Sequence, residues 1–154
     1  FQDALLLDSE RADYIARYGE DLYRLQAHQQ KDDGYVLEAK AYFELVREQF
    51  SKQHVRSNYY LGKIALLEWG KESARRPNDP LHKVALDYFQ QVVAVGGENE
   101  FPDVLFQIAN IFRDLEANRL SDQYYDKYLT TWRKVYKRPA PNERYVRELM
   151  RKTQ

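Results

Sequence analysis

Three histidines, His28, His54 and His82, are the first residues to weigh, because imidazole is the commonest metal ligand and proton shuttle. They stand far apart, with no His-x3-His or His-x-x-Glu spacing to set two ligands on one helix face. Each reads as a solvated helix-surface residue. The chain has no cysteine, which excludes disulfides, thiolate zinc sites and a cysteine nucleophile. Ser9, Ser51, Ser57, Ser73 and Ser121 lack the G-x-S-x-G context of an exposed nucleophile, and Gly96-Gly97 is not followed by the Lys-Ser/Thr of a phosphate loop. Glu20-Asp21 and Asp32-Asp33 read as solvated charge at helix ends rather than as an acid/base pair. The expectation is a non-catalytic chain, with no metal site and no cofactor.

Charge is the second source of chemistry. Lys+Arg and Asp+Glu each number 24 in 154 residues, so the chain as a whole is not a basic nucleic-acid binder. The balance hides an asymmetry. Residues 133–154 carry Arg133, Lys134, Lys137, Arg138, Arg144, Arg147, Arg151 and Lys152 against Glu143 and Glu148, a net +6 that leaves −6 on residues 1–132. Such a segment could meet phosphates, anionic lipid headgroups or an acidic partner. It also fits a solvated closing helix, since helix C-termini favour cations.

The elements that must position these residues are helices. The mean hydropathy is −0.78, yet 44% of residues are hydrophobic and 14% aromatic, enough to bury a core. No run approaches the eighteen or so apolar residues of a membrane span. Apolar residues recur at spacings of three and four: Val36, Ala39, Tyr42, Phe43, Val46 and Phe50 trace one stripe, and Val84, Ala85, Tyr88, Phe89, Val92 and Val93 another. No segment alternates with period two. The spacing predicts seven helices, at about 9–32, 35–51, 54–75, 81–95, 102–116, 119–137 and 142–152, in one all-α domain spanning 1–154. Gly96-Gly97 suits a left-handed stop, Ser121 and Asn142 suit helix starts, and the 76–80 stretch, RPNDP, suits a rigid turn.

Three segments align on one another. Ala39-x3-Phe43-x2-Val46, Ala85-x3-Phe89-x2-Val92 and Ser121-x3-Tyr125-x2-Tyr128 each place a small residue, an aromatic and a third larger residue on one helix face. Ahead of them stand Gln26-Ala27, Leu61-Gly62 and Ile108-Ala109, a larger residue followed by a small one, with Gly34 at the first inter-helix turn. This pattern resembles the tetratricopeptide repeat (TPR), a helix–turn–helix unit. The resemblance covers roughly 20–132 in degenerate form: about eleven extra residues lie around 69–80, and the usual late proline is missing. It implies antiparallel pairs stacked as a short right-handed solenoid, with repeats at about 20–51, 54–97 and 102–136. A capping helix at 142–152 would close it with Tyr145, Leu149 and Met150 inward. The A-x-x-Y-F and Y-Y-L-G phrasing is also similar to repeat proteins of the bacterial cell envelope, such as lipoprotein components of outer-membrane assembly. A periplasmic or envelope location is then expected ahead of a cytoplasmic one. The chain begins at Phe1 rather than Met, and residues 1–7, FQDALLL, are too short for an intact signal peptide.

In repeats of this kind the first helix of each pair lines the concave face. Counting from Ala27, Gly62 and Ala109, the inward positions are Arg24 and His28, Tyr59 and Lys63, and Phe106 and Asn110, extended one turn by Lys31, Leu66 and Arg113. Amides, aromatics and cations together suit an extended peptide. The chaperone-binding members of the family hold a peptide carboxylate with a Lys/Asn/Arg set, of which only Lys63 and Asn110 match here. The implied function is a scaffold or adaptor that binds another protein or peptide, with a second copy of the chain as a further partner. The alternative is a nucleic-acid or anionic-membrane accessory acting through the basic segment, with nucleic acid the less favoured of the two. A membrane contact would need that segment or an anchor preceding Phe1.

Overall fold

The computed structural model describes residues 2–28, 34–71 and 80–152, with side chains for 7–26, 34–68 and 80–152. Among them are seven α-helices and no strand: α1 Gln2–His28, α2 Gly34–Gln49, α3 Val55–Lys71, α4 Pro80–Ala94, α5 Asp103–Asp114, α6 Asn118–Tyr136 and α7 Glu143–Arg151. A 3-10 turn, Gly97–Asn99, lies between α4 and α5. The all-α expectation holds helix for helix. The first helix begins near residue 2 rather than 9, so Ala4 to Leu7 belong to its opening turns. Ala27, His28 and Trp69 to Lys71 are helical, but their side chains lie outside the described residues, as do Lys31 and the 72–79 stretch with most of the RPNDP turn. No described helix is long and apolar enough to cross a membrane.

The helices pack as neighbouring pairs, α1 on α2, α3 on α4 and α5 on α6. The pairs are joined through α2–α3 and α4–α5, and α7 lies on α6. In the third pair the contacts Phe112–Tyr124, Asn110–Tyr125 and Phe106–Tyr128 rise on one helix as they fall on the other, so α5 and α6 run antiparallel. The core follows the predicted stripes: Val36, Ala39, Phe43 and Val46 on α2, and Ala85, Phe89 and Val92 on α4, are buried. Small residues on the first helices let those rings in. A Cβ at Gly62 would stand 2.5 Å from the Phe89 ring, and one at Gly19 would stand 3.0 Å from Phe43.

Several local expectations change. His82 is 1% exposed rather than solvated, because it falls three residues before Ala85 on the stripe, while Val84 turns outward. Its Nε2 stands 3.5 Å from Asp114 of α5. Ser121 does not cap a helix: it is buried inside α6 and its hydroxyl donates to the Ala109 carbonyl of α5 at 3.0 Å, tying the pair together. Asn142 precedes α7 but makes no side-chain cap bond; its Oδ1 accepts the Tyr128 hydroxyl at 2.7 Å instead. On α7 Val146 and Leu149 are buried and Tyr145 faces solvent, since positions 146, 149 and 150 share the packed face. Gly96 adopts φ 76° and stops α4 as expected. Glu116 and Lys137 do the same for α5 and α6 despite carrying a Cβ, a conformation that costs about 1–2 kcal/mol.

Candidate functional site

Four elements converge on one cleft. The side chains of Tyr23 and Arg24 come from α1, and Tyr59, Tyr60 and Lys63 from α3. Glu100, Phe101, Pro102 and Asp103 come from the approach to α5, and Trp132 and Tyr136 from the end of α6, together enclosing about 410 Å³. The local reasons are helical spacing and one bend. Tyr59 and Lys63 are one turn apart on α3, as are Trp132 and Tyr136 on α6. The 3-10 turn seats Phe101 against α3, with buried Gly97 so close to Val92 and Val55 that a Cβ would stand 2.7 and 2.8 Å from their methyls.

The walls are aromatic. Tyr59 stacks on Phe101 at 4.4 Å and 12° between planes. Tyr60 stacks on Phe43 at 5.4 Å and meets Tyr59 and Tyr23 edge-on. Trp132 lies 4.5 Å from Tyr136 and 5.8 Å from Tyr128, which in turn lies 5.3 Å from Phe106. The Trp132 indole Nε1 is buried with no acceptor among the described residues.

Charges are set into these walls. The Lys63 ammonium lies 5.5, 5.2 and 5.8 Å from the ring centres of Tyr23, Tyr59 and Tyr60, and forms no ion pair among the described residues. Contacts of this kind each contribute about 0.5–1 kcal/mol when exposed. Asp103 accepts the Tyr59 hydroxyl at 2.8 Å and the Gln107 amide at 3.2 Å, and likewise has no cationic partner among them. Behind the cleft, Glu20 accepts the Tyr60 hydroxyl at 2.8 Å, pairs with Arg24 at 2.6 Å and lies 3.1 Å from Arg56 Nε. That Nε–H is misaligned for a hydrogen bond, so the contact is an ion pair. Arg56 reaches on to Glu100 at 3.2 Å.

Burial sets the phenol chemistry. It raises the Tyr59 hydroxyl far above its ordinary value, with the Asp103 carboxylate adding to it, and raises Tyr60 with help from the Glu20 hydrogen bond. Tyr23, Tyr125 and Tyr128 are raised in the same direction, again chiefly by burial. A phenol that resists ionisation in the fold but ionises in the unfolded chain contributes stability fully below about pH 10 and loses it as pH climbs further. Alkaline titration is therefore expected to unfold the protein above that pH. Tyrosinate absorbance should stay short of its full thirteen-residue amplitude until the helical signal collapses. A full amplitude with the helices intact would contradict this.

Of the residues expected to face a partner, Arg24, Tyr59 and Lys63 meet in the cleft. His28 lies outside the described side chains. Phe106, Asn110 and Arg113 do not line it: Asn110 Oδ1 accepts the Tyr125 hydroxyl, Arg113 interacts electrostatically with the same phenol, and Phe106 packs between Tyr125 and Tyr128. Leu66 is half-buried against the core. The cleft adds Tyr23, Tyr60, Phe101, Asp103, Trp132 and Tyr136. The four-residue spacing Tyr128, Trp132, Tyr136 was a visible signal; the others depend on long-range packing.

Two other clusters of polar side chains lie outside the cleft. Asp13, His54 and Ser57 form a hydrogen-bonded row, with Nε2 to Asp13 at 2.7 Å and Nδ1 to the Ser57 hydroxyl at 2.9 Å. Ser57 is wholly buried, and its backbone N–H also donates to Nδ1, so the ring acts as the cap of α3 and ties it to α1. In the basic segment Arg133 makes two bonds to Glu143, at 3.0 and 3.1 Å, and Arg147 another at 3.2 Å. The hydrogen bond from Arg133, joined by that from Arg147, holds Glu143 below its usual range. Arg133 therefore fastens α7 to α6, while Arg147, one turn along α7 from Glu143, holds that carboxylate from within its own helix. Lys134, Lys137 and Arg138 are exposed without an ion pair among the described residues, and Arg144 stands 3.9 Å from Glu148. No group of three His, Cys, Asp or Glu side chains is placed to hold a metal ion among the described residues. Comparison with protein families, curated proteins and solved structures finds no match for the chain.

Proposed function

We propose that the chain is a short TPR-like array of helix pairs that acts as a scaffold or adaptor, holding a segment of another protein in the cleft between α1, α3, α5 and α6. The observation that carries this reading is the cleft itself: aromatic walls, two charges with no ion-pair partner among the described residues and about 410 Å³ of space, a size that suits a few peptide side chains. We read repeats at about 20–51, 54–97 and 102–136, with α7 as the cap; the Gly62–Phe89 contact supports the second of them. In the first pair the register runs from Gly19, which meets Phe43, rather than from Ala27. A second copy of the chain could supply the segment as well as another protein, and the envelope resemblance suggests a cell-envelope assembly. The basic segment is the weaker candidate for the partner contact, since Arg133 and Arg147 already serve Glu143.

A randomised peptide selection against the full chain tests this, with binders measured by fluorescence anisotropy. Tyr136 is 43% exposed, so Tyr136→Ala should leave the fold intact. It should weaken the selected peptides about tenfold or more, as truncation of an aromatic anchor does. A selection yielding no binder sensitive to Tyr136→Ala would reject the proposal.

A further inference from the structure

The two cleft charges that form no ion pair among the described residues, Lys63 and Asp103, have opposite sign, and this says more about the occupant than the aromatic walls do. Lys63 lies over the face of the Tyr59 ring, 5.2 Å from its centre, and Asp103 accepts the hydroxyl of the same ring at 2.8 Å. One phenol therefore separates a cation from an anion, both on the cleft lining. Neither charge forms an ion pair with the other or with a neighbour among the described residues: the ion pairs of this region join Glu20, Arg24, Arg56 and Glu100. Three ammonium donors over the ring face and a carboxylate with acceptor capacity to spare at its hydroxyl are thus left for an occupant. A purely apolar segment would desolvate both charges without compensation. A uniformly acidic segment would meet Lys63 but be repelled by Asp103, and a uniformly basic one the reverse.

We infer that the segment recognised by this cleft is dipolar, presenting an acidic side chain to Lys63 and a basic side chain to Asp103, within a few residues of each other and beside an apolar or aromatic side chain that packs on Phe101, Trp132 and Tyr136. The inference rests on the peptide-binding reading and sharpens it. Charge complementarity selects the occupant, and the aromatic walls supply contact area without dictating sequence.

The test uses the full chain and the peptides selected against it, each resynthesised with the acidic residue, the basic residue or both replaced by glutamine. Removing either charge should weaken binding roughly five- to tenfold, the scale of a partly desolvated ion pair. Lys63→Met should abolish the effect of the acidic residue alone, and Asp103→Asn the effect of the basic residue alone. Lys63→Glu should reverse the preference at the position that faces it. Helical circular dichroism and thermal midpoint identify any variant that fails to fold; for Asp103, Gln replaces Asn in that event. Peptides that depend on Tyr136 but show no charge preference, or a preference that survives Lys63→Met and Asp103→Asn, would overturn the inference and leave the peptide-binding reading standing. Absence of any Tyr136-dependent peptide would overturn both.

Discussion

Replacing Phe89 with alanine is expected to destabilise the protein by about 3–5 kcal/mol, the largest loss of any single substitution considered. The ring is 0% exposed, packs beside Tyr59 and lies directly against the backbone of α3 at Gly62. Its removal therefore opens a cavity inside the second pair, at the close approach of α4 to the α3 backbone. Denaturant unfolding monitored by helical circular dichroism measures it. The complementary change tests the same contact from the other side. Gly62→Ala should gain about 1 kcal/mol of helix propensity, yet its methyl would stand 2.5 Å from the ring, so overpacking of about 1–3 kcal/mol should win. Gly19→Ala meets the Phe43 ring at 3.0 Å, where the ring can yield slightly, and should lie within about 1 kcal/mol of neutral. If Gly62→Ala proved stabilising, or Phe89→Ala cost under about 1 kcal/mol, the close approach of α3 and α4 would not be a principal support of the fold.

These contacts also show how far the sequence could be read. Helix placement was legible because burial imposes the period: Ala85, Phe89 and Val92 share a face whatever surrounds them, and His82 could have been read as buried from the same line. The phase of the first helix was not. Ala27 and Ala109 lie at the same distance before Phe43 and Tyr125, so equal spacing pointed to Ala27. Gly19 is the residue against Phe43 because α1 runs on past that contact to His28 before the chain turns. Spacing cannot foresee the length of a helix beyond its contact. With Gly19 in phase, the inward positions of the first helix become Ala16 and Glu20, and both are buried, whereas Arg24 reaches the cleft from one turn further on. The second helix pair needed no such shift, and Tyr59 and Lys63 were read in place. Asp103 and Phe101 were missed for another reason. They stand before α5, outside any helical stripe, and enter the cleft only because the 3-10 turn folds back on α3.

Glu20 is where this correction has its largest energetic consequence after Phe89. Its carboxylate is nearly buried on α1 and gathers the Tyr60 hydroxyl and Arg56, both from α3, so it joins the first and second pairs behind the cleft. Arg24 adds an i,i+4 contact, but its own side chain is 67% exposed and solvent screens most of that attraction. Glu20→Ala should cost about 2–4 kcal/mol: Arg56 is left a largely buried cation with only the exposed Glu100 to face, and the Tyr60 hydroxyl loses its acceptor. Glu20→Gln keeps an acceptor for Tyr60 but not the charge for Arg56, so about half of that loss is expected. A double-mutant cycle with Tyr60→Phe separates the two, and a coupling near 1 kcal/mol would assign the hydrogen bond its share. The effect should reach the cleft as well, because Tyr60 carries part of the aromatic floor beneath Lys63. Selected peptides should bind Glu20→Gln more weakly than wild type even at temperatures where the variant is fully folded. Equal stability of Glu20→Ala and wild type would mean that the cluster desolvates its charges at a cost equal to their attraction, and that packing alone holds α1 to α3.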